Sequence, residues 1–343
     1  MTIHVGLVGY GMASAVFHAP LIESTPGLRL STIVSSQPEK VRKDFPTITV
    51  VPTLEHLLAQ PEITLIVIAT PNEMHYDLAK QALAAGKHVI VEKPFVLHAS
   101  QAEELMELAQ QQQVVLSIFH NCRWNNDFLT IRHLLQQGLL GDLFTYEAHY
   151  DRYRPLVRDR WRERAEPGAG ILYDLGSHLI DQALCLFGFP QAVWADVQAQ
   201  RANAQADDYF HLVLSYPKLR VILHASSLVR ASGPRFQLHG STGSFIKSGF
   251  DSQAEALLAG KRPGDPGWGE DPVEQYGTIT MDVGKITIEG TVKTLPGCYE
   301  AFYQGIIEAI LSGKPAPVTA QEATNTIKVI EAAWQSQQRK CQN

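Results

Sequence analysis

The chain has 343 residues, 45% of them hydrophobic and 19% charged, which is enough apolar material for two packed cores and excludes a disordered chain. A formal net charge of -6 with no long Lys/Arg run argues against nucleic-acid binding. No apolar run is long enough to span a bilayer, no signal-peptide layout precedes the first strand pattern, and Cys122, Cys185, Cys298 and Cys341 lie far apart. A cytoplasmic, reducing location is therefore expected, with no membrane partner, no zinc knuckle and no disulfide framework.

In chain order, Ile3–Val8 is an apolar run that ends in Gly9-Tyr10-Gly11, and a helical pattern starts at Met12. Strand, Gly-rich turn and helix is the context a dinucleotide fingerprint needs. Glycines let the backbone approach a pyrophosphate, and the helix N-terminus offers free N–H groups to it. Gly9, Tyr10, Gly11, Met12 and Ala13 are the candidate phosphate-side residues, and Ser14 stands where the fingerprint has a third Gly or Ala. Further strand patterns follow at Leu28–Val34, Leu65–Thr70, His88–Val91 and Val114–Phe119. Helix patterns at Leu54–Ala59, Tyr76–Ala85 and Ser100–Gln112 lie between them. Short apolar strands alternating with helices predict a doubly wound parallel sheet with ligands beyond the carboxyl ends of its strands.

Those strand ends hold the next candidates. After the second strand comes Ser35-Ser36, with no acid before Glu39. Hydroxyls there, with Lys40 close by, suit a 2′-phosphate and favour NADP over NAD. The bland alternative is a polar turn. Thr70-Pro71-Asn72, with His75 beyond, can lie along a dinucleotide or simply cap a helix. Glu92-Lys93-Pro94 follows the next strand, and Lys93 can donate to a substrate hydroxyl or alkoxide there. Pro94 fixes the turn that aims it.

Gly9-Tyr10-Gly11, Thr70-Pro71-Asn72 with His75, Gly86-Lys87-His88-Val89, Glu92-Lys93-Pro94 and the later segment Gly168–Asp181 together resemble the glucose–fructose oxidoreductase, inositol dehydrogenase and rhizopine-catabolism (Gfo/Idh/MocA) family. The resemblance spans most of the chain. Phe17-His18-Ala19-Pro20, Asp159-Arg160-Trp161-Arg162-Glu163 and Asp208-Tyr209-Phe210 look like a bacterial subgroup related to NADP-dependent scyllo-inositol dehydrogenase. It implies a dinucleotide-binding Rossmann domain over residues 1–121. It also implies a substrate-binding and oligomerisation domain over 122–343, with an open, largely antiparallel sheet covered by helices on one face. The final helix is expected to pack back on the first domain, and a homodimer or homotetramer through the other sheet face is implied. Asn121, at what looks like the family's junction, is placed to contact cofactor or substrate. Arg123 either faces a ligand or pairs with an acid.

Beyond the junction, Phe128–Gln137 reads as an amphipathic helix and Phe144–Tyr153 as a strand. Six arginines between Arg152 and Arg164 are interleaved with Trp161, which can pack on a sugar or cyclitol ring or in a core. Strand patterns at Val193–Gln200, Tyr209–Tyr216, Arg220–Leu228, Arg235–Gly240, Gly243–Lys247, Ile279–Val283 and Lys285–Ile288 predict an antiparallel sheet. Gly260–Gly277 reads as a surface loop, and Tyr299–Leu311 and Ala320–Gln337 as helices.

In Gly168–Asp181, Asp174 and His178 stand four residues apart and Asp181 three further on, so on a helix they share a face. The spacing fits a proton relay, a metal site or a structural brace. The resemblance favours the relay: Lys93, Asp174 and His178 catalytic, with Arg123 and Trp161 also on the substrate, no metal, and Asp181 reduced to helix support. It requires His178 and Lys93 to converge near a nicotinamide. The expected activity is hydride transfer between NADP, or NAD, and a hydroxyl or keto carbon of a cyclitol, sugar or polyol. The alternatives are a reductase of another small carbonyl compound, or a non-catalytic nucleotide-sensing protein.

Overall fold

The structure, a computed structural model, describes residues 2–340. These residues form two compact units, one of 2–124, 253–268 and 298–324, the other of 125–252, 269–297 and 325–340. Cys122, Cys185 and Cys298 are not in disulfides, and Cys341 lies outside the described residues. No described helix is long and apolar enough to cross a membrane.

The first unit is built on a six-stranded sheet of β1 (Ile3–Val8), β2 (Leu28–Val34), β3 (Thr49–Val51), β4 (Ile63–Ile68), β5 (His88–Glu92) and β6 (Leu116–Phe119). The order is β3-β2-β1-β4-β5-β6 and every pairing is parallel. The central strands are apolar on both faces because helices cover both; Leu65, Ile66, Val67 and Ile68 have no exposed surface. The order reverses between β1 and β4, which opens a crevice at their carboxyl ends. β3 has no counterpart in the sequence reading, since three edge residues are too short to show a period. The helix after β1 runs over 12–24, and its Ala13–His18 stretch is π-helical.

The second unit is built on an eight-stranded sheet. Its strands are β7 (Leu143–His149), β8 (Ala192–Gln198), β9 (Tyr209–Ser215), β10 (Arg220–Ser226), β11 (Phe236–Gly240), β12 (Gly243–Lys247), β13 (Gly277–Val283) and β14 (Ile286–Val292). The order is β14-β13-β12-β11-β7-β10-β9-β8. Neighbours are antiparallel except β7 and β10, which run parallel with His149 beside His224. The exception arises because β7 inserts between strands formed much later in the chain. On the covered face, Phe187 at the end of the helix Ser177–Phe187 packs on Tyr146 and Tyr216, with ring centroids 5.3 and 6.1 Å apart. Side chains alternate accordingly: Phe210, Leu212 and Leu214 of β9 are buried and the residues between them are half-exposed.

The expected surface loop at Gly260–Gly277 is only partly one. Trp268 is buried, with its indole N–H donating to Glu300 at 3.0 Å. Asp271 accepts an ion pair from Lys247 at 3.1 Å, and neither side chain is exposed. A Gly- and Pro-rich composition marks turns but says nothing of two side chains with fixed buried partners. The final helix, Ala320–Lys340, blunts the edge of the sheet: Ser336 and Gln337 accept from the backbone N–H groups of Ala195 and Val197 on β8. Its first residues belong to the first unit, where the Thr324 hydroxyl donates to Met106 Sδ at 3.7 Å.

Candidate active site

In the first unit, the loops that follow β1, β4 and β5 are locked to one another. Gly9 has φ +91°, and a Cβ there would lie 2.6 Å from the Ala69 carbonyl oxygen, so the turn needs glycine twice over. Gly11 has nothing within 4 Å of an added Cβ, which leaves open space at the helix N-terminus where a phosphate can approach the backbone. Ser14 donates to the Gly9 carbonyl at 2.8 Å and so braces the turn from the fingerprint's third position. Tyr10 donates to Asp44 at 2.7 Å, and Lys40 lies 5.6 Å from its ring centroid and 3.4 Å from its carbonyl oxygen. Met12 is exposed and Ala13 half-exposed. At the end of β2, the Ser35 hydroxyl accepts from the Gln37 N–H at 3.0 Å and Ser36 is exposed. Glu39, the first acid, is exposed and paired with Arg42 at 2.6 Å.

His75 is fully buried and joins two of these loops. Its Nδ1 lies 2.9 Å from the Pro94 carbonyl and its Nε2 3.1 Å from the Thr70 carbonyl. Burial holds this imidazole below its usual range against the pull of both carbonyls, so the neutral ring donates to one at a time. With no surface of its own, His75 positions Thr70-Pro71-Asn72 rather than touching a ligand. Asn72 is buried at the start of a 3-10 turn, Asn72–Met74.

Lys93 follows β5, and its peptide bond to Pro94 is cis. Its backbone N–H donates to Glu92 Oε2 at 2.9 Å. Glu92 Oε1 lies 2.9 Å from His18 Nε2, and His18 Nδ1 lies 2.6 Å from the Tyr303 hydroxyl. Burial, and after it the Glu92 charge, hold the Tyr303 phenol well above its usual range, so it keeps its proton and donates to Nδ1. That leaves Nε2–H to donate to Glu92. Burial alone raises the Glu92 carboxyl, but the His18 hydrogen bond and the Lys93 charge outweigh it and hold the group ionised. His18 and Tyr303 were not candidates from sequence. The only signal was the Phe17-His18-Ala19-Pro20 segment, and the partner lies 285 residues away. At the end of the same unit's sheet, Asn121 and Arg123 are buried on a 3-10 turn, and Arg123 pairs with Glu322 at 3.0 Å.

In the second unit, Asp174 sits on a π-helical turn, Leu172–Gly176, that runs into the helix Ser177–Phe187 carrying His178 and Asp181. The turn is anchored by a residue the sequence did not single out. Asp207 accepts from the Leu172 N–H at 2.7 Å, and Gly170, at φ +87°, leaves room for it: any Cβ there would collide with the carboxylate. Protein atoms crowd Asp207 although a little of its surface is exposed, and that burial pushes its carboxyl up to about 7 against the Leu172 hydrogen bond. Asp174 lies 3.5 Å from Arg162 Nε, and Arg162 lies over the Trp161 ring at 4.8 Å, so Trp161 joins this cluster through the arginine. His178 is buried, with its ring stacked 6.5 Å from that of Tyr150, and Asp181 is buried one turn on. A small cavity opens at Asp174, lined by Arg152, Arg154, Arg162, Asp207 and Ser227 among others.

Asp174, His178 and Asp181 do not form a group with metal-ligand spacing. The group that does, among the described residues, is His149, Asp151 and His224 on the half-exposed sheet face. Within it, Asp151 accepts from His224 at 2.9 Å and from His149 at 3.3 Å, while the buried Nε2 of His149 has no hydrogen-bond partner.

The pieces of the first unit fit a dinucleotide: the strand order, the Gly9 turn and the open space at Gly11. Comparison with known proteins agrees over the whole chain. The family profile described as "Oxidoreductase family, NAD-binding Rossmann fold" matches residues 3–120. That described as "Oxidoreductase family, C-terminal alpha/beta domain" matches residues 132–341. The chain is 47% identical to the scyllo-inositol 2-dehydrogenase (NADP(+)) IolW of Bacillus subtilis, over 99% of this chain and 95% of that protein. It is 49% identical to the oxidoreductase YdgJ of Escherichia coli, over 97% and 96% of the two chains. The solved structure of the oxidoreductase yvaA from Bacillus subtilis superposes with a TM-score of 0.96 at 46% identity, covering 99% of this chain and 97% of that one. With both halves matched and a Rossmann sheet followed by a mostly antiparallel one, the chain belongs to the Gfo/Idh/MocA family of oxidoreductases.

Proposed function

We propose that the chain is an NADP-preferring dehydrogenase that moves hydride between the nicotinamide and a hydroxyl or keto carbon of a cyclitol, sugar or polyol. The observation that carries the reading is Lys93, placed just past the carboxyl end of β5 with the ionised Glu92 hydrogen-bonded to its backbone. The activity named for the Bacillus subtilis relative supports the substrate class. We keep the division of labour at residues 1–121 for nucleotide and 122–343 for substrate and assembly, with assembly as a homo-oligomer through the half-exposed sheet face.

Gly9, Tyr10, Gly11, Met12 and Ala13 hold the pyrophosphate, with Thr70, Pro71, Asn72 and Asn121 along the rest of the dinucleotide. Ser35, Ser36 and Lys40 take the 2′-phosphate. Ser35 uses a lone pair on Gln37 and keeps its proton to donate, and the nearest acid is already paired with Arg42. The bound nicotinamide supplies the hydride acceptor or donor. Lys93 Nζ and a ring nitrogen of His178 hydrogen-bond the reacting oxygen and carry its proton away in oxidation or supply it in reduction. Asp174 orients and charges the imidazole, and Trp161 packs on the ring of the substrate.

The test follows nicotinamide absorbance with NADP and NAD against a panel of inositols, aldoses and polyols in both directions. No turnover across the panel would remove the dehydrogenase reading. Lys93→Ala should lower the rate by about 10²–10⁴-fold while nucleotide affinity, followed by fluorescence, changes little. An unchanged rate would remove Lys93 from the chemistry.

A further inference from the structure

The extended run after β7 carries two arginines whose charge the second unit offsets only in part, through Asp174 and, for Arg154, Glu163. The backbone N–H of Arg152 donates to the Ser226 carbonyl at 3.0 Å and that of Arg154 to Ser227 at 2.7 Å. Residues i and i+2 of an extended run leave the same face, and both side chains line the cavity at Asp174. The other arginines there are engaged. Arg162 faces Asp174 at 3.5 Å, Arg160 pairs with Glu163 at 2.6 Å, and Arg201 bridges Glu163 and Asp208 at 3.0 and 2.7 Å.

Arg152 and Arg154 make no ion pair among the described residues, and the buried Nε of Arg152 has no hydrogen-bond partner. Both guanidinium groups are drawn below the usual arginine range. Burial is the first cause for each, followed by neighbouring arginine charge, and Asp174 offsets this only in part. Two partly desolvated like charges side by side are unfavourable unless an anion joins them. The planar fork of a guanidinium matches the oxygens of a carboxylate or phosphate two at a time. Hydroxyl groups alone would leave the excess charge in place.

We propose that Arg152 and Arg154 form an oxyanion-binding subsite beside Asp174, and that the substrate carries a carboxylate or phosphate there, as a sugar acid or sugar phosphate does. The proposal rests on the dehydrogenase reading for what is done to the bound molecule. The anion preference stands on the arginines alone.

The test is calorimetric titration of the full chain with inorganic phosphate, a hexuronate, a hexose 6-phosphate and a neutral inositol. Wild type is compared with Arg152→Gln and Arg154→Gln, and with Arg164→Gln as a control, since Arg164 is half-exposed and pairs with Asp159. Wild type should bind at least one of the anions saturably. Each cavity variant should bind it about tenfold or more weakly, and the control as wild type does. The hexuronate and hexose 6-phosphate arms tell carboxylate from phosphate. No anion binding by wild type, or equal binding by the cavity variants, overturns the subsite. Should the variants fail to fold by circular dichroism, salt dependence of wild type decides: anion affinity must fall with added NaCl, and a flat response overturns the subsite. Arginine-dependent anion binding without turnover of any panel member keeps the subsite and removes the dehydrogenase. Turnover of inositol without anion binding does the reverse.

Discussion

Glu92 in the first unit and Asp207 in the second are both carboxylates crowded by protein, and they are held in opposite states. Glu92 has His18 on one oxygen and the Lys93 N–H on the other, and it stays ionised. Asp207 has backbone N–H groups and the like charge of Asp208, and burial raises it to about 7. Glu92 therefore has its partners within the first unit, whereas the second unit keeps charge that is only partly offset at Arg152 and Arg154 and a titratable carboxyl at Asp207. On the function proposed above, a site preset by its own chain suits a constant cofactor, and one with excess charge suits a molecule that completes it.

The largest effect should come from the titratable side. Asp207 binds its proton more tightly folded than unfolded, because the folded value is raised from an ordinary 3.8 to about 7. Its contribution to stability is therefore full below pH 4 and is lost as pH rises from about 4 to about 7. Asp207→Asn removes that titration but keeps an oxygen for the Leu172 N–H. Relative to wild type, the variant should gain stability between pH 3.5 and pH 8, by up to roughly 4 kcal/mol before allowance for the exposed edge of the group. Denaturant unfolding at the two pH values measures it, and an equal difference at both would show that Asp207 does not titrate in this range.

On the preset side the sign reverses: removing a partner should hurt at any pH near neutral. His18→Ala strips Glu92 of its hydrogen bond and leaves the Tyr303 hydroxyl buried, at a loss of about 3 kcal/mol in global stability. His18→Gln can keep contact with one neighbour and should recover part of it. If both variants unfold with wild type, the Tyr303–His18–Glu92 chain is not what holds the Lys93 turn.

The same contrast explains what the sequence made legible. Buried parallel strands announce themselves as apolar runs, and Gly9, Gly11 and Lys93 are marked by their place at strand ends. The spacing of Asp174 and His178 marked a shared helix face without deciding its use, and the turn under Asp174 is π-helical rather than α-helical. Asp207 lies 35 residues from the Leu172 N–H it anchors, and Tyr303 lies 285 from His18. Pairs so distant leave no local period. Nor could turn signals show β7 entering the sheet between β10 and β11, since that choice is made by burial of Tyr146 and Ala148 among side chains from the later strands.

The smallest expected effect concerns the end of β2, where the sequence has no acid before Glu39. β2 ends at Val34, Ser35 turns the chain by accepting from Gln37, Ser36 is exposed, and the first acid after the strand, Glu39, is paired with Arg42. A carboxylate at this position would bind the ribose hydroxyls of NAD and repel a 2′-phosphate. Ser36→Asp should lower the NADP-to-NAD ratio of kcat/KM by about tenfold, roughly 1.4 kcal/mol in transition-state free energy. The effect is modest because Lys40 stays in place, tied to the Tyr10 carbonyl at 3.4 Å, and continues to favour the phosphate. Steady-state rates with both cofactors settle it. A ratio that does not move would mean the end of β2 does not read the phosphate, and would leave Lys40 to account for cofactor choice by itself.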